Sequence, residues 1–253
     1  MPIAAQSRHS RRLDVVLVER GLARSRARAQ DLIRRGLVEV AGAIETRPGT
    51  VVAPGAELRV ADGTVDHVSR GALKLIAALD HFQFSACAVV ALDIGASTGG
   101  FTEVLLERGA TRVYAVDVGR GQLNARLAND PRVVSLERTD ARILDHTHVP
   151  NPIGAIVADV SFISLTKALP AALALAGHAA WLVALIKPQF EAGRAAVSRA
   201  GIVRDPADRD RAVAIVRDWM AAQAGWHVAG ILPSPIAGGS GNQEFLLGAV
   251  RGT

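Results

Sequence analysis

The chain has one cysteine in 253 residues, Cys87, set in an apolar run. That excludes a disulfide framework and leaves no cluster with metal-ligand spacing, so a reduced compartment and no structural zinc are expected. Aromatic side chains are scarce at 4% of the chain, which limits how much base stacking the sequence can offer. A convincing membrane-spanning run is also lacking. Residues 168–186 carry no formal charge over 19 positions, near the ~20 needed to cross a bilayer. Pro170, Gly177 and His178 interrupt them, however, and the segment reads better as a helix followed by a buried strand at 181–186. The basic residues 1–12 precede a mixed stretch at 13–20 with no apolar signal core, so no secretory signal is expected and a cytoplasmic location is.

What is present has a globular balance, 49% apolar and 21% charged. The length fits one core of about 150–200 residues with a satellite domain. The net charge of +5 is confined to one end. Residues 1–60 hold 11 arginines and no lysine against six acidic groups, whereas residues 61–253 hold 18 groups of each sign.

Within that basic end the spacing predicts a helix at 13–19 with a Gly21 stop. A second helix follows, N-capped by Ser25 and C-capped by Gly36, then strands at 37–40 and 51–60. Arg24, Arg26 and Arg28 alternate, and Arg34 and Arg35 follow one to two turns later, which predicts a basic helical face. A solvated charged face is the plain alternative. Residues 12–60, with Leu-Val-Glu-Arg-Gly-Leu-Ala-Arg-Ser-Arg-Ala-Arg-Ala and Ile33-Arg34-Arg35-Gly36-Leu37-Val38-Glu39-Val40, resemble the S4 RNA-binding domain. The resemblance implies that these arginines meet RNA phosphates, giving affinity with little sequence discrimination. The expected organisation is an S4-like α+β domain at 1–60, a linker at 61–68 and a catalytic domain at 69–253.

From residue 88 onward strands and helices alternate, the pattern of a doubly wound α/β domain. Strands are expected at 88–94, 112–116, 133–136, 153–158, 181–186, 226–232 and 245–250, with helices at 99–108 and 209–222. The last two strands read as a hairpin. The first strand runs into Asp93-Ile94-Gly95-Ala96-Ser97-Thr98-Gly99-Gly100-Phe101, the expected cofactor-binding segment. A dinucleotide loop wants glycine where Ser97 stands, and a P-loop wants lysine where Phe101 stands. Asp117 ends the next strand, 22 residues after Gly95, and can accept from ribose hydroxyls. S-adenosylmethionine, with a ribose and no pyrophosphate, suits such a loop. Asp140 reads equally as an acceptor for the adenine amine and as a helix N-cap.

Five motifs in order, around Lys74, Asp93–Thr102, Asp159, Lys187 and Glu244, resemble the TlyA family, which joins an S4 domain to an FtsJ-like, Rossmann-like methyltransferase domain. The older name haemolysin is attached to that family. The resemblance covers residues 12–250 and implies 2'-O-methylation of ribosomal RNA, with cytidine the expected nucleotide and ribosomal subunits the partner. It places a catalytic tetrad on Lys74, Asp159, Lys187 and Glu244. A ribose hydroxyl is a poor nucleophile until its proton is shared, and a lysine takes that proton only when its pKa falls from about 10.4. A second ammonium and partial burial both act that way. Lys187 is therefore the expected base, oriented by Asp159, with Lys74 and Glu244 setting the field. No metal is expected in the reaction. Arg70, Phe162 and Phe190 are candidates for holding RNA, the two phenylalanines equally candidates for the core. Two other classes remain, an RNA-binding protein with an inactive methyltransferase-like domain and a membrane-lytic protein. The oligomeric state is open.

Overall fold

The computed structural model describes residues 10–23, 25–61, 67–238 and 241–252. The chain divides into two units, Met1–Asp66 and His67–Thr253. Arg24 and residues 62–66 of the expected linker lie outside the described residues.

The first unit runs β1 (Arg11–Arg12), α1 (Leu13–Glu19), α2 (Arg26–Arg34), β2 (Val38–Val40), β3 (Ala43–Ile44), β4 (Val51–Val52) and β5 (Leu58–Val60). Ser25 caps α2: its hydroxyl accepts from Arg28 N at 3.2 Å, which satisfies one of the helix's orphan donors. Gly36 sits one residue beyond the C-cap rather than at it, with φ +68, a conformation glycine adopts without steric cost. The single strand expected at 51–60 is two strands, because Pro54-Gly55 turns the chain with Gly55 at φ +88. β5 then pairs with β2, and β4 with β1. Leu13, Leu17, Leu32, Ile33 and Val38 fill the small core beneath.

The second unit contains α3 (Gly71–Phe82), β6 (Val90–Ile94), α4 (Gly100–Glu107), β7 (Arg112–Asp117), α5 (Ala125–Ala128), β8 (Val133–Glu137), β9 (Ile153–Ala158), α6 (Leu165–Ala168), α7 (Pro170–Ala174), β10 (Ala176–Ile186), α8 (Pro188–Glu191), α9 (Pro206–Ala221), β11 (Trp226–Pro233) and β12 (Phe245–Arg251). Seven strands form one sheet in the order β11-β12-β10-β9-β6-β7-β8, and β12 alone runs antiparallel to its neighbours. Strand side chains alternate between faces, so each strand feeds two cores. Leu92, Ile94, Ile156 and Leu182 join one cluster with Val216 and Met220 of α9. Ala91, Val157, Val183 and Leu185 join the other with Leu75 and Leu79 of α3 and Phe101 and Leu105 of α4. Each fully buried leucine or isoleucine contributes roughly 1.5–3 kcal/mol, enough in sum to hold the strand ends in fixed positions.

Three features differ from the pattern read in the sequence. The apolar segment at 168–186 splits at Pro170, which opens α7, and β10 starts at Ala176, five residues before the expected strand. No described helix is long and apolar enough to cross a membrane. Helix α3 had no counterpart in the sequence reading, although Ala72, Leu75, Ala78 and Leu79 on its buried side follow helical spacing.

Candidate active site

The carboxyl ends of the parallel strands collect the chemistry-bearing residues, as open α/β sheets do. β6 delivers the chain into Gly95, whose φ is +82. A Cβ there would meet the carbonyl oxygen of Asp159 at 2.7 Å, so the loop presses directly on the backbone that carries Asp159. Gly95 N and Ala96 N both donate to Val116 O, at 2.8 and 3.0 Å. Ser97, at φ +48, donates its N–H to Asp117 Oδ2 at 2.8 Å, while Asp117 Oδ1 accepts from Gly119 N at 2.7 Å. Asp117 therefore shapes the loop as well as ending β7. Gly99 opens α4 at φ +96, and a side chain there would strike Leu123 and Leu127.

Gly95, Ala96, Ser97, Thr98, Gly100 and Phe101 line a cleft of about 300 Å³ that also receives Arg70, Lys74, Asp159 and Lys187. It shares Gly95, Ser97, Asp159 and Ser161 with a larger cleft of about 1210 Å³, whose wall holds Asp117 and Asp140. Asp140 Oδ1 accepts from Arg142 N at 2.9 Å as the cap of a short 3₁₀ turn, and the Arg142 guanidinium holds its carboxyl below the usual carboxylate range.

Asp93 departs from the expectation. It lines neither cleft and is fully buried under the loop, accepting from the Thr102 hydroxyl at 2.6 Å. Loss of solvent pushes its pKa up to about 7 against the opposing Thr102 bond, with Asp159 and Asp117 adding repulsion.

The four tetrad residues arrive by separate routes. Lys74 is on the first turn of α3, Asp159 directly follows β9, Lys187 directly follows β10, and Glu244 directly precedes β12. The antiparallel ladder ends with Ile186 opposite Phe245, so one further step sets position 187 against position 244. The side chains form two ion pairs. Lys74 Nζ donates to Glu244 Oε2 at 2.5 Å, with side-chain exposures of only 10% and 3%. Lys187 Nζ lies 2.6 Å from Asp159 Oδ1, at an angle short of a hydrogen bond, and donates to Ser161 Oγ at 2.9 Å.

Several supporting residues escaped the sequence reading. Gly238 lies so close to Glu244 that a Cβ would come within 2.4 Å of its Oε1. Glu191 takes Ser164 Oγ at 2.5 Å and Leu165 N at 2.8 Å, binding the segment after β10 to the segment after β9. Its burial raises the carboxyl pKa against those two bonds. Phe162 is not a core residue: it is 91% exposed at φ +66, its ring centroid 5.2 Å from that of half-buried Phe190.

In the first unit one buried carboxylate organises the arginines. Asp14 accepts from Arg12 at 3.0 and 3.1 Å, from Arg26 at 2.9 Å and from Gln30 at 2.8 Å. The Arg12 contact does most to hold its carboxyl far below the usual range. Arg26, Arg34 and Arg35 are exposed. Arg28 is turned onto Asp31 at 3.0 Å and is only 12% exposed, so it leaves the solvent face expected for it. In the second unit Arg70 is exposed at the foot of α3.

The FtsJ-like methyltransferase family model matches residues 67–251, and the S4 domain model matches residues 11–58. The chain is 48% identical over 237 residues to the 16S/23S rRNA (cytidine-2'-O)-methyltransferase TlyA of Mycobacterium tuberculosis, covering 93% of this chain and 88% of that protein. It is 40% identical over 240 residues to Hemolysin A of Brachyspira hyodysenteriae, covering 93% and 98%. A solved structure from Streptococcus thermophilus, provisionally named a hemolysin, superposes with a TM-score of 0.72 at 38% identity, covering 97% of this chain and 90% of that one.

Proposed function

The chain belongs to the TlyA family of FtsJ-like methyltransferases, with an S4 domain ahead of the catalytic one, and from that premise we propose that it methylates the 2'-hydroxyl of a cytidine in ribosomal RNA. The observation that carries the reading is the pair of ion pairs, Lys187 with Asp159 and Lys74 with Glu244, beside the glycine loop. S-adenosylmethionine is the methyl donor this site suits. The loop at 95–101 is free of bulky side chains except Phe101, its backbone is fixed by Val116 and Asp117, and the adjoining cleft carries Asp117 for a ribose and Asp140 for an adenine. When bound, that cofactor supplies a methyl group on a positively charged sulfur, which an oxygen nucleophile attacks in line.

The residues of the chain do the rest. Lys187 in its neutral amine form takes the proton of the 2'-hydroxyl, and Asp159 and Ser161 hold the ammonium that results. Lys74 lines the same cleft and buried Glu244 neutralises its ammonium, so the pair sets the local field without adding net charge and Lys74 orients the ribose. Phe162 presents a ring face for an unpaired base, and the exposed arginines of the S4 domain with Arg70 supply phosphate contacts. The activity belongs in the cytoplasm, where ribosomes are. The lytic alternative has only the names of relatives in its favour.

The deciding experiment is methyl transfer from labelled S-adenosylmethionine to purified small and large ribosomal subunits, with the modified nucleotide mapped. Label on a cytidine ribose with the wild type, reduced about 100-fold or more in Lys187→Ala while cofactor binding persists, is the expected result. Undiminished label in Lys187→Ala overturns the base assignment. Absence of label on either subunit overturns the substrate.

A further inference from the structure

Away from the clefts, three groups with no place in methyl transfer converge on one point. Glu103 and Glu107 lie four residues apart on α4 and so share one face of the helix. His67, 36 positions earlier in the chain, brings its ring onto that face. His67 Nδ1 is 3.4 Å from Glu103 Oε2 and 3.7 Å from Glu107 Oε2, and the donor atoms of all three residues lie within 4.8 Å of one another. None of the three lines either cleft.

We propose that His67, Glu103 and Glu107 bind one divalent transition-metal ion of the zinc class. The imidazole is 7% exposed and its Nδ1 is buried with no hydrogen-bond partner, aimed at the two carboxylates. Burying such an atom unpaired is unfavourable, and a metal ion removes that cost. Ligand atoms bound tetrahedrally to zinc at about 2.0–2.2 Å stand roughly 3.4 Å apart, so the two His67–carboxylate spacings need only small adjustment. One imidazole with two carboxylates is a ligand set that zinc accepts, with the fourth position left to water.

The surroundings are built as a second layer around such a site. Val68 N donates to Glu103 Oε2 at 2.6 Å, and the Arg126 guanidinium holds Glu103 Oε1. Both fix the buried carboxylate, and the arginine also offsets one of the two negative charges. Glu107, whose side chain is 45% exposed, gives an ion a route in from solvent. The ion would fasten the first residue of the methyltransferase unit to α4, the helix that begins at the cofactor loop. The inference rests on this geometry alone and is independent of the methyl acceptor.

The test uses the full purified chain, stripped with a chelator and titrated with zinc chloride and, for its visible spectrum, cobalt chloride. The expected result is one equivalent bound, a melting temperature raised by about 5 °C or more at 100-fold excess over the dissociation constant, and affinity at least 10-fold weaker in His67→Ala and in Glu107→Gln. Cys87→Ser should bind as the wild type does. Should His67→Ala fail to fold, Glu107→Gln decides, because its side chain is half exposed. No saturable binding, or binding unchanged in Glu107→Gln, overturns the proposal. So does binding lost in Cys87→Ser instead.

Discussion

Lys187 and Asp159 end neighbouring parallel strands, so their approach is fixed by the sheet and not by flexible loops. Gly95 adds a second constraint. Its backbone lies against the Asp159 carbonyl, and any Cβ adds both a clash and an unfavourable positive φ. Gly95→Ala is expected to destabilise the fold by about 1–3 kcal/mol and to weaken cofactor binding and methyl transfer together, measured by thermal melting and by binding titration. Asp93 yields a prediction of a different kind. Its pKa is raised from an ordinary 3.8 to about 7, so between these values the folded state holds the proton more tightly than the unfolded chain. Stability from this group is full below about pH 4 and is lost as pH rises through 7. Asp93→Asn should keep the Thr102 bond and flatten that part of the melting-temperature profile. An unchanged slope would mean that another group sets it. The sequence marked Asp93 as a strand-end acid but not its depth, because one residue of strand phase decides between cleft and core and periodicity alone does not fix phase.

At the scale of elements, the strands and long helices were legible because each carries its own apolar period, and β9 has the bounds its pattern predicts. The pairing of Lys74 with Glu244, 170 residues apart, was not. It depends on where α3 packs, and no local pattern encodes that. The same holds for Gly238, whose only signal is a glycine-rich turn before Glu244. Gly238→Ala should displace the Glu244 carboxylate and leave Lys74 unpaired. Breaking a buried ion pair on one side typically costs about 3 kcal/mol or more, so both stability and turnover should fall. Restored turnover in Gly238→Ala at temperatures well below its melting point would show the loss to be stability alone. In the first unit, Ser25→Ala should cost about 1 kcal/mol through α2, read by chemical denaturation.

For the molecule as a whole, the net positive charge lies in the first 60 residues. Binding to ribosomal RNA should therefore weaken steeply with salt, and the slope should report S4 contacts. Arg26→Gln is expected to lower the log–log salt slope by about 1 and leave turnover at saturating RNA unchanged. Asp14→Asn should act on the same slope indirectly, by releasing Arg12 and Arg26 from a shared anchor. Composition disclosed the charge asymmetry but not this anchor, since Asp14 reads in sequence as one more polar position on a short helix.

The pairing of both cleft ammoniums has a practical consequence. The chain contains only three lysines. Lys74 and Lys187 are about one-tenth exposed and locked to carboxylates, whereas Lys167 is exposed on the wall of the larger cleft. An amine-directed reagent thus has one readily labelled side chain, and that side chain stands where ligands would enter. Mass spectrometry of acylated Lys167 becomes a built-in occupancy gauge, read from a single peptide without any engineered probe.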